Sequence, residues 1–267
     1  MSKAYGKARL VLCLVILLAA NSSGAPPTRQ EAEETARLLA ILLDAGRVVI
    51  DHNQTLIDDP HKGNKGFTPE VFEQQLHHEF QSRTGIDLKH VNRDQLPAMA
   101  RELLPALVRA GKEVVAEAQL VINQRGLGYK NFIPATFGSR AAFRFSSKSP
   151  VRLKQTTLLP RNEKNQPDSY EAAVLERLGK QPTQSLSLSE LTEGGNTLRL
   201  LTPIYYTTDC LKCHGGPVGE FDISGEVVTR LDSVEKGTPS AANRPAPAPK
   251  APVAPAAKPS PAASPNP

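Results

Sequence analysis

The sequence contains only three cysteines and two methionines, and this scarcity limits the kinds of site that it can build. Cys13 lies in an N-terminal apolar run, so only Cys210 and Cys213 remain for the rest of the chain. Two cysteines three positions apart close too small a loop to staple a fold, which argues against a disulfide framework. A structural zinc site is also disfavoured, because the sequence has neither a second CxxC nor an HxxxH pair.

The central part of the chain lacks an excess of either charge. The formal net charge of +5 comes from the two ends, where three basic residues before position 25 and three after position 238 stand without any acid. The remaining residues carry 26 of the 32 basic side chains against all 27 acidic ones. This balance gives no reason to expect a nucleic-acid partner.

The N-terminal segment is typical of a secretory signal. A basic start is followed by the apolar run at 10–20 and by small and polar residues at 21–25. The apolar run is too short to span a bilayer, which needs about 20 apolar residues. We predict a signal peptide over 1–24 and an exported, periplasmic protein. An uncleaved anchor is the alternative, and we expect contact with a membrane only in that case.

The C-terminal segment is of low complexity. Residues 237–267 consist largely of proline, alanine and serine. Such a segment cannot bury enough apolar surface to offset the entropy lost on ordering, so we predict a disordered tail. The folded domain is expected within 25–236.

Apolar periodicity and capping residues predict an α+β fold with an antiparallel sheet, because helices come first and strands follow. We predict a break or kink at Pro105 within the third helix. Asp168 and Glu171 form the start signal of a later helix. The predicted helices are 28–58, 69–83, 94–123 and 168–178. The predicted strands are 143–145, 156–159, 198–206 and 225–231.

The sequence CLKCH at 210–214 is the motif that carries chemistry. Two thiols at positions i and i+3 can each form a thioether bond to one vinyl group of a haem, and the adjacent histidine can then bind the iron. Cys210 and Cys213 are therefore predicted to hold one covalent haem c, with His214 as the proximal iron ligand. A thioredoxin-like use of the two cysteines is disfavoured, because no βαβ unit is visible around them.

The sequence does not identify the distal iron ligand. His52 falls on the apolar stripe of the first helix, where an unpaired imidazole would be costly, and it is a candidate for distal ligand. Met99 is the methionine outside the N-terminal segment and is a second candidate. His77 and His78 lie on a polar helix and are expected to be solvated. An open or water-bound iron is the third alternative.

Several segments resemble a family of small exported c-type haem domains with a PAS-like fold, which includes a cyanobacterial protein with a cysteine axial ligand. The similar segments are 53–72 together with the helix that leads into it, 125–138, 161–171, 203–216 and 224–228. The resemblance implies a PAS-like antiparallel sheet under long N-terminal helices, with the haem between the sheet and the first helix. It implies a distal position near His52 or Asn53. A cysteine ligand is excluded here, because no further cysteine follows Cys13 outside the haem motif.

Two functions are compatible with these features. The first is electron transfer or redox buffering in the periplasm, with a redox partner that the sequence does not identify. The alternative is a haem-based redox or gas sensor that signals through a separate protein, because no signalling module is present in the chain. Enzymatic activity is not expected, since no distal Arg–His pair can be placed, although Arg47 precedes His52 by five residues.

Overall fold

The computed structural model describes residues 27–90, 96–160, 162–179, 187–205 and 221–230. Within these residues the chain forms seven α-helices and four strands. The helices are α1 (Arg29–His52), α2 (Gln54–Asp58), α3 (Pro69–Thr84), α4 (Ala98–Glu117), α5 (Gln119–Ile122), α6 (Pro134–Ser146) and α7 (Ser169–Gly179). The strands are β1 (Val151–Thr156), β2 (Leu188–Thr192), β3 (Thr197–Tyr205) and β4 (Phe221–Arg230). The predicted segments 1–24 and 237–267 lie outside the described residues.

The first helix begins at a strong start signal. The Thr28 hydroxyl accepts a hydrogen bond from the backbone N–H of Glu31 (3.2 Å), and the Glu31 carboxylate accepts one from the backbone N–H of Thr28 (2.9 Å). This capping box satisfies donors that a helix start leaves without partners. The helical run is interrupted at Asn53 and continues as α2 to Asp58. The predicted helix over 28–58 is confirmed, apart from this break.

The second predicted helix is confirmed as α3. The Thr68 hydroxyl accepts from the backbone N–H of Val71 (3.3 Å), and Pro69 takes the first helical position, where its missing N–H costs nothing. Gly85 ends the helix with a φ of 73°, the left-handed conformation that glycine adopts most easily. Local signals alone therefore fix both ends of this helix.

Pro105 does not break the third helix. α4 continues through Pro105 to Glu117, and the interruption comes at Ala118, before α5. A proline inside a helix costs about 3 kcal/mol or more. The buried side chains Leu104 and Val108 lie on either side of Pro105 and keep the helix packed on the core. The predicted break at Pro105 is therefore wrong, because apolar burial outweighs the local penalty, whereas a kink at Pro105 stays a prediction.

The predicted strand at 143–145 is also wrong, since these residues belong to α6. Phe137, Ala141 and Phe145 are buried and four residues apart, which is the spacing of one helical face. Arg144 bridges to α4, where it contacts Glu113 (3.0 Å) and Glu117 (2.6 Å). The short aromatic run favours a strand by composition, but the helical spacing of the buried residues favours a helix, to which these partly exposed ion pairs add little.

The sheet is antiparallel, with the strand order β1-β4-β3-β2. The strands predicted at 198–206 and 225–231 are confirmed as β3 and β4. The strand predicted at 156–159 is misplaced, because β1 ends at Thr156, and Leu158 and Leu159 are exposed. β2 was not among the predicted strands.

α1 lies at the centre of the fold and contacts β3 and β4 as well as α3, α4 and α6. Close packing depends on Gly46, where an added Cβ atom would lie 2.8 Å from Cε1 of Phe137. The Phe137 ring in turn lies 5.1 Å from the ring of Phe72, between their centroids. The predicted α+β class, with an antiparallel sheet beneath N-terminal helices, is confirmed by this arrangement.

Candidate functional site

The C-terminal end of β3 leads along the chain toward the predicted haem motif. Residues Thr202, Pro203 and Ile204 are partly buried there and face α1 across a cavity of about 190 Å³. The predicted site residues Cys210, Cys213 and His214 lie outside the described residues. The structure therefore describes the residues of β3 that precede the motif. The candidate site consists of the described residues at this end of the sheet.

The walls of this cavity are mostly apolar, with a charged cluster at one side. Its apolar lining comes from α1, β1 and the end of β3: Ala40, Ile41, Leu43, Leu153, Pro203 and Ile204. Its charged side chains are Asp44 and Arg47 of α1 and Arg83 of α3. An apolar pocket with a few convergent polar groups is the usual form of a ligand site.

Arg47 is the most deeply buried charge of this cluster, with a residue exposure of 7%. Its guanidinium Nη1 donates to Asp44 Oδ1 at 2.7 Å. Its Nε is also buried but has no hydrogen-bond partner among the described residues. A buried donor without an acceptor costs about 1–3 kcal/mol. A ligand oxygen that accepted a hydrogen bond from this nitrogen would remove that cost.

Asp44 connects Arg47 to the neighbouring helix. Its second oxygen, Oδ2, accepts from Arg83 Nη1 at 2.8 Å, and Arg83 also binds Glu79 at 2.7 Å. The Arg47 side chain is confined on its other side as well, because its Cδ lies 3.0 Å from the position a Cβ would take on Gly138. The guanidinium is thus held in place by packing and by one carboxylate.

The structure changes the interpretation of the distal position expected near His52 or Asn53, at the end of the first helix. His52 is exposed, so its predicted place on the buried apolar stripe is wrong. At about 100° per residue, His52 lies roughly 140° around the helix from Arg47. The Asn53 amide donates to the Val49 carbonyl (2.7 Å) and to Gln75 Oε1 (2.7 Å), which ties it to α3. A distal role for His52 stays a prediction.

The second candidate side chain, Met99, lies on α4 and is 8% exposed. It belongs to the hydrophobic core formed largely by the helices. Its burial is explained by this packing, because a thioether fills apolar gaps well. Among the described residues, no neighbour of Met99 distinguishes it as an iron ligand, and a distal role for Met99 stays a prediction.

Comparison with known families identifies the family of this chain. The Tll0287-like family matches residues 25–227, which is most of the sequence. The chain belongs to the Tll0287-like family. The matched range includes the cavity residues, the distal candidates and the whole CLKCH motif.

Two other comparisons concern this Tll0287-like chain. The crystal structure of the cyanobacterial heme-protein Tll0287 matches with a TM-score of 0.37 and 12% identity, over 52% of this chain and 97% of that chain. No curated protein matches. In the part of the chain that the structure describes, no helix is both long and apolar enough to cross a membrane.

A second charged centre of the Tll0287-like chain holds α7 against the sheet. The Glu171 carboxylate is completely buried and binds Lys154 of β1 at 2.6 Å and Arg199 of β3 at 3.4 Å. It also accepts from the backbone N–H of Asp168 at 2.8 Å, while the backbone N–H of Glu171 donates to the Asp168 carboxylate. The predicted capping pair is therefore confirmed and is part of a larger network.

Burial of Asp168 and the groups that bind it have opposite effects on its pKa. Burial alone raises the pKa of Asp168, but the backbone N–H of Glu171 and the guanidinium of Arg199 (2.9 Å) lower it, and the net direction is down. The Arg199 guanidinium also lies over the Tyr170 ring, 4.3 Å from its centroid. The backbone N–H of Glu171 and the guanidinium of Arg199 thus stabilise the charged form of Asp168.

His77 differs from the expectation that it is solvated. Its side chain is partly buried, and its Nδ1 has no hydrogen-bond partner among the described residues. Burial lowers the pKa of His77, although Glu73 opposes this effect. His78, the next residue on the same helix, is exposed as expected.

Sequence reasoning missed Asp44, Arg47 and Arg83 as site residues. A signal for two of them was present, because Asp44 and Arg47 stand three apart within an otherwise apolar stretch of α1. That spacing allows an ion pair on one face of a helix. The contribution of Arg83 could not be read from the sequence, since it lies on another helix and 39 residues away from Asp44.

Proposed function

We propose that this chain is an exported protein that carries one covalent haem c. The CLKCH motif at 210–214 is the observation that carries the proposal, because it combines two thioether-forming cysteines with an adjacent axial histidine. Cys210 and Cys213 would hold the porphyrin, and His214 would bind the iron. Bound haem would supply a metal centre that gains and loses one electron.

Family membership supports the proposal. The family bears the name of Tll0287, and Tll0287 itself is a cyanobacterial heme-protein of known crystal structure. We extend haem binding to this chain because its own sequence contains the attachment motif.

A PAS-like fold is part of the same proposal. It is supported by an antiparallel sheet in which the first and last described strands are neighbours beneath a helical layer.

The cavity beside β3 offers contacts for one edge of an amphipathic ligand of this kind, although its volume of about 190 Å³ would hold only that edge. Cys210 follows Ile204 by six residues, and six residues of chain reach at most about 20 Å. The haem ring is apolar and its two propionates are anionic. The cavity offers apolar walls and, in Arg47, a buried donor without a partner among the described residues, which are the two kinds of contact that such a group requires.

We favour electron transfer or redox buffering as the role of this haem, in the periplasm or an equivalent exported compartment. A single haem on a small domain suits the exchange of one electron with a redox partner. The alternative is sensing of a gas or redox change. Its specific support is the direct packing of α1 on β3, because a movement at the iron could reach the first helix along this contact.

Covalent attachment is tested by haem staining of a denaturing gel. The wild-type chain, expressed with a c-type maturation system, should retain stained haem after denaturation. The double variant Cys210→Ala, Cys213→Ala should lose the stain, whereas Cys13→Ala provides a matched control that should keep it. Stain that survives the double substitution would contradict the attachment site.

The two roles are separated by the exchangeability of the distal ligand. If His52 binds the iron, His52→Ala should convert a low-spin absorption spectrum to a high-spin one, and His78→Ala should not. Ready binding of carbon monoxide by the reduced wild-type protein favours sensing. An unreactive, six-coordinate iron favours electron transfer.

A further inference from the structure

Arg47 has a property that the fold alone does not require. The residue is more than nine-tenths buried, and Asp44, its one charged partner among the described residues, occupies only Nη1 of its donor groups. The remaining buried donor, Nε, has no partner in the described part of the chain. The Arg47 side chain is part of the lining of a cavity with mostly apolar walls. Helix packing by itself would favour an apolar side chain at this position, since a donor without an acceptor is destabilising.

We infer that Arg47 binds a haem propionate in the cavity between α1 and the end of β3. The inference rests on the proposed function and adds a ligand contact to it. A carboxylate at Nε would satisfy the orphaned donor and would form a charge-assisted hydrogen bond, the strong kind in a partly buried site. Arginine suits this task because its planar fork binds one carboxylate through Nη1 and leaves Nε for another.

The other charges around Arg47 support this assignment. Asp44 on the same helix fixes the guanidinium, and Arg83 on α3 binds the second oxygen of Asp44 at 2.8 Å. Glu79 on α3 balances Arg83. A propionate in the cavity would therefore lie near two guanidinium groups that share one carboxylate. The apolar side chains of the cavity would contact the edge of the haem ring.

The test uses the haem-loaded full-length chain and measures the reduction potential as a function of pH. Arg47→Met removes a positive charge next to the haem, so the oxidised form is stabilised and the potential should fall. It should also make the potential depend more strongly on pH between about pH 5 and 8, because a propionate without its arginine has a higher pKa. Arg47→Lys keeps the charge and should restore most of the wild-type behaviour.

The matched control is Arg37→Met on the same helix. Arg37 is exposed and pairs with Glu34 at 3.0 Å, so its loss should leave both the potential and its pH dependence unchanged. A Met variant at position 47 that retains haem but behaves like this control would overturn the inference and leave the proposed function intact. A wild-type chain without covalent haem would overturn both.

A second measurement remains decisive if Arg47→Met folds poorly with haem. Urea unfolding is compared for Arg47→Met and wild type, each with haem and each in the Cys210→Ala, Cys213→Ala background without it. If Arg47 contacts a propionate, Arg47→Met should lower the free energy of unfolding of the haem-loaded protein. It should cause little or no loss in the protein without haem, because the Arg47–propionate pair exists only when haem is bound. Equal losses in both backgrounds, or failure to fold in both, would assign Arg47 a purely structural role and refute the inference.

Discussion

The buried carboxylate of Glu171 offers the sharpest test of how this fold is held together. The side chain is completely buried and joins three elements, because it binds Lys154 on β1 and Arg199 on β3 while it caps α7. Lys154 and Arg199 are themselves only 11% and 13% exposed. Solvent can therefore do little to compensate either cation if the carboxylate is removed.

The size of the effect follows from this burial. Removal of one partner from a buried charge pair costs about 3–5 kcal/mol, because the remaining charge loses its compensation. Arg199 keeps a second carboxylate, Asp168 at 2.9 Å, so we expect the lower end of this range for Glu171→Ala, about 3 kcal/mol. Glu171→Gln keeps the shape and an acceptor for the helix cap, and should lose roughly half as much.

Urea unfolding followed by far-UV circular dichroism measures these changes. The matched control is Glu190→Ala, which removes an ion pair between α7 and β2. Glu190 and Arg177 are 41% and 51% exposed, so the control should lose less than about 1 kcal/mol. The reasoning fails if Glu171→Ala loses no more free energy of unfolding than this control.

Two further predictions concern pH and packing. The lowered pKa of His77 means that the unfolded state binds the proton first as the pH falls, so stability present above about pH 6.5 should decline below it. His77→Gln should flatten this decline in pH-dependent urea unfolding, and an unchanged slope would contradict the assignment, with His78→Gln as control. Gly46→Ala should lower the thermal midpoint of unfolding, because the new Cβ would lie 2.8 Å from the buried Phe137 ring. Overpacking of this kind costs about 1–3 kcal/mol, which exceeds the gain in helix propensity of up to about 1 kcal/mol. Gly128→Ala, whose Cβ would meet nothing closer than 4.0 Å, should be near neutral, and a more stable Gly46→Ala would refute the argument.

Helix starts and the order of elements could be predicted because they depend on neighbours in sequence. Thr28 and Glu31 stand three apart, as do Asp168 and Glu171, and both pairs form helix caps. Errors arose where distant contacts decide the outcome. Residues 143–145 have strand-like composition, yet packing of their helix on α4 determines their conformation.

The same distinction applies to the candidate site. The CLKCH motif is local and could be recognised from five residues, whereas the cavity beside β3 combines side chains from α1, α3 and two strands. Periodicity placed His52 on the apolar stripe, but that stripe ends before it, and His52 is exposed. The importance of Arg47 depends on a cavity and on a buried donor without an acceptor among the described residues, which no sequence pattern reports.

The mass of the intact protein after denaturation tests the central claim most directly. Covalent attachment predicts that the wild-type chain keeps the added mass of one haem under denaturing conditions, and that peptide mapping places it on the segment with Cys210 and Cys213. A chain that shows only its polypeptide mass after expression with a working c-type maturation system would contradict the account.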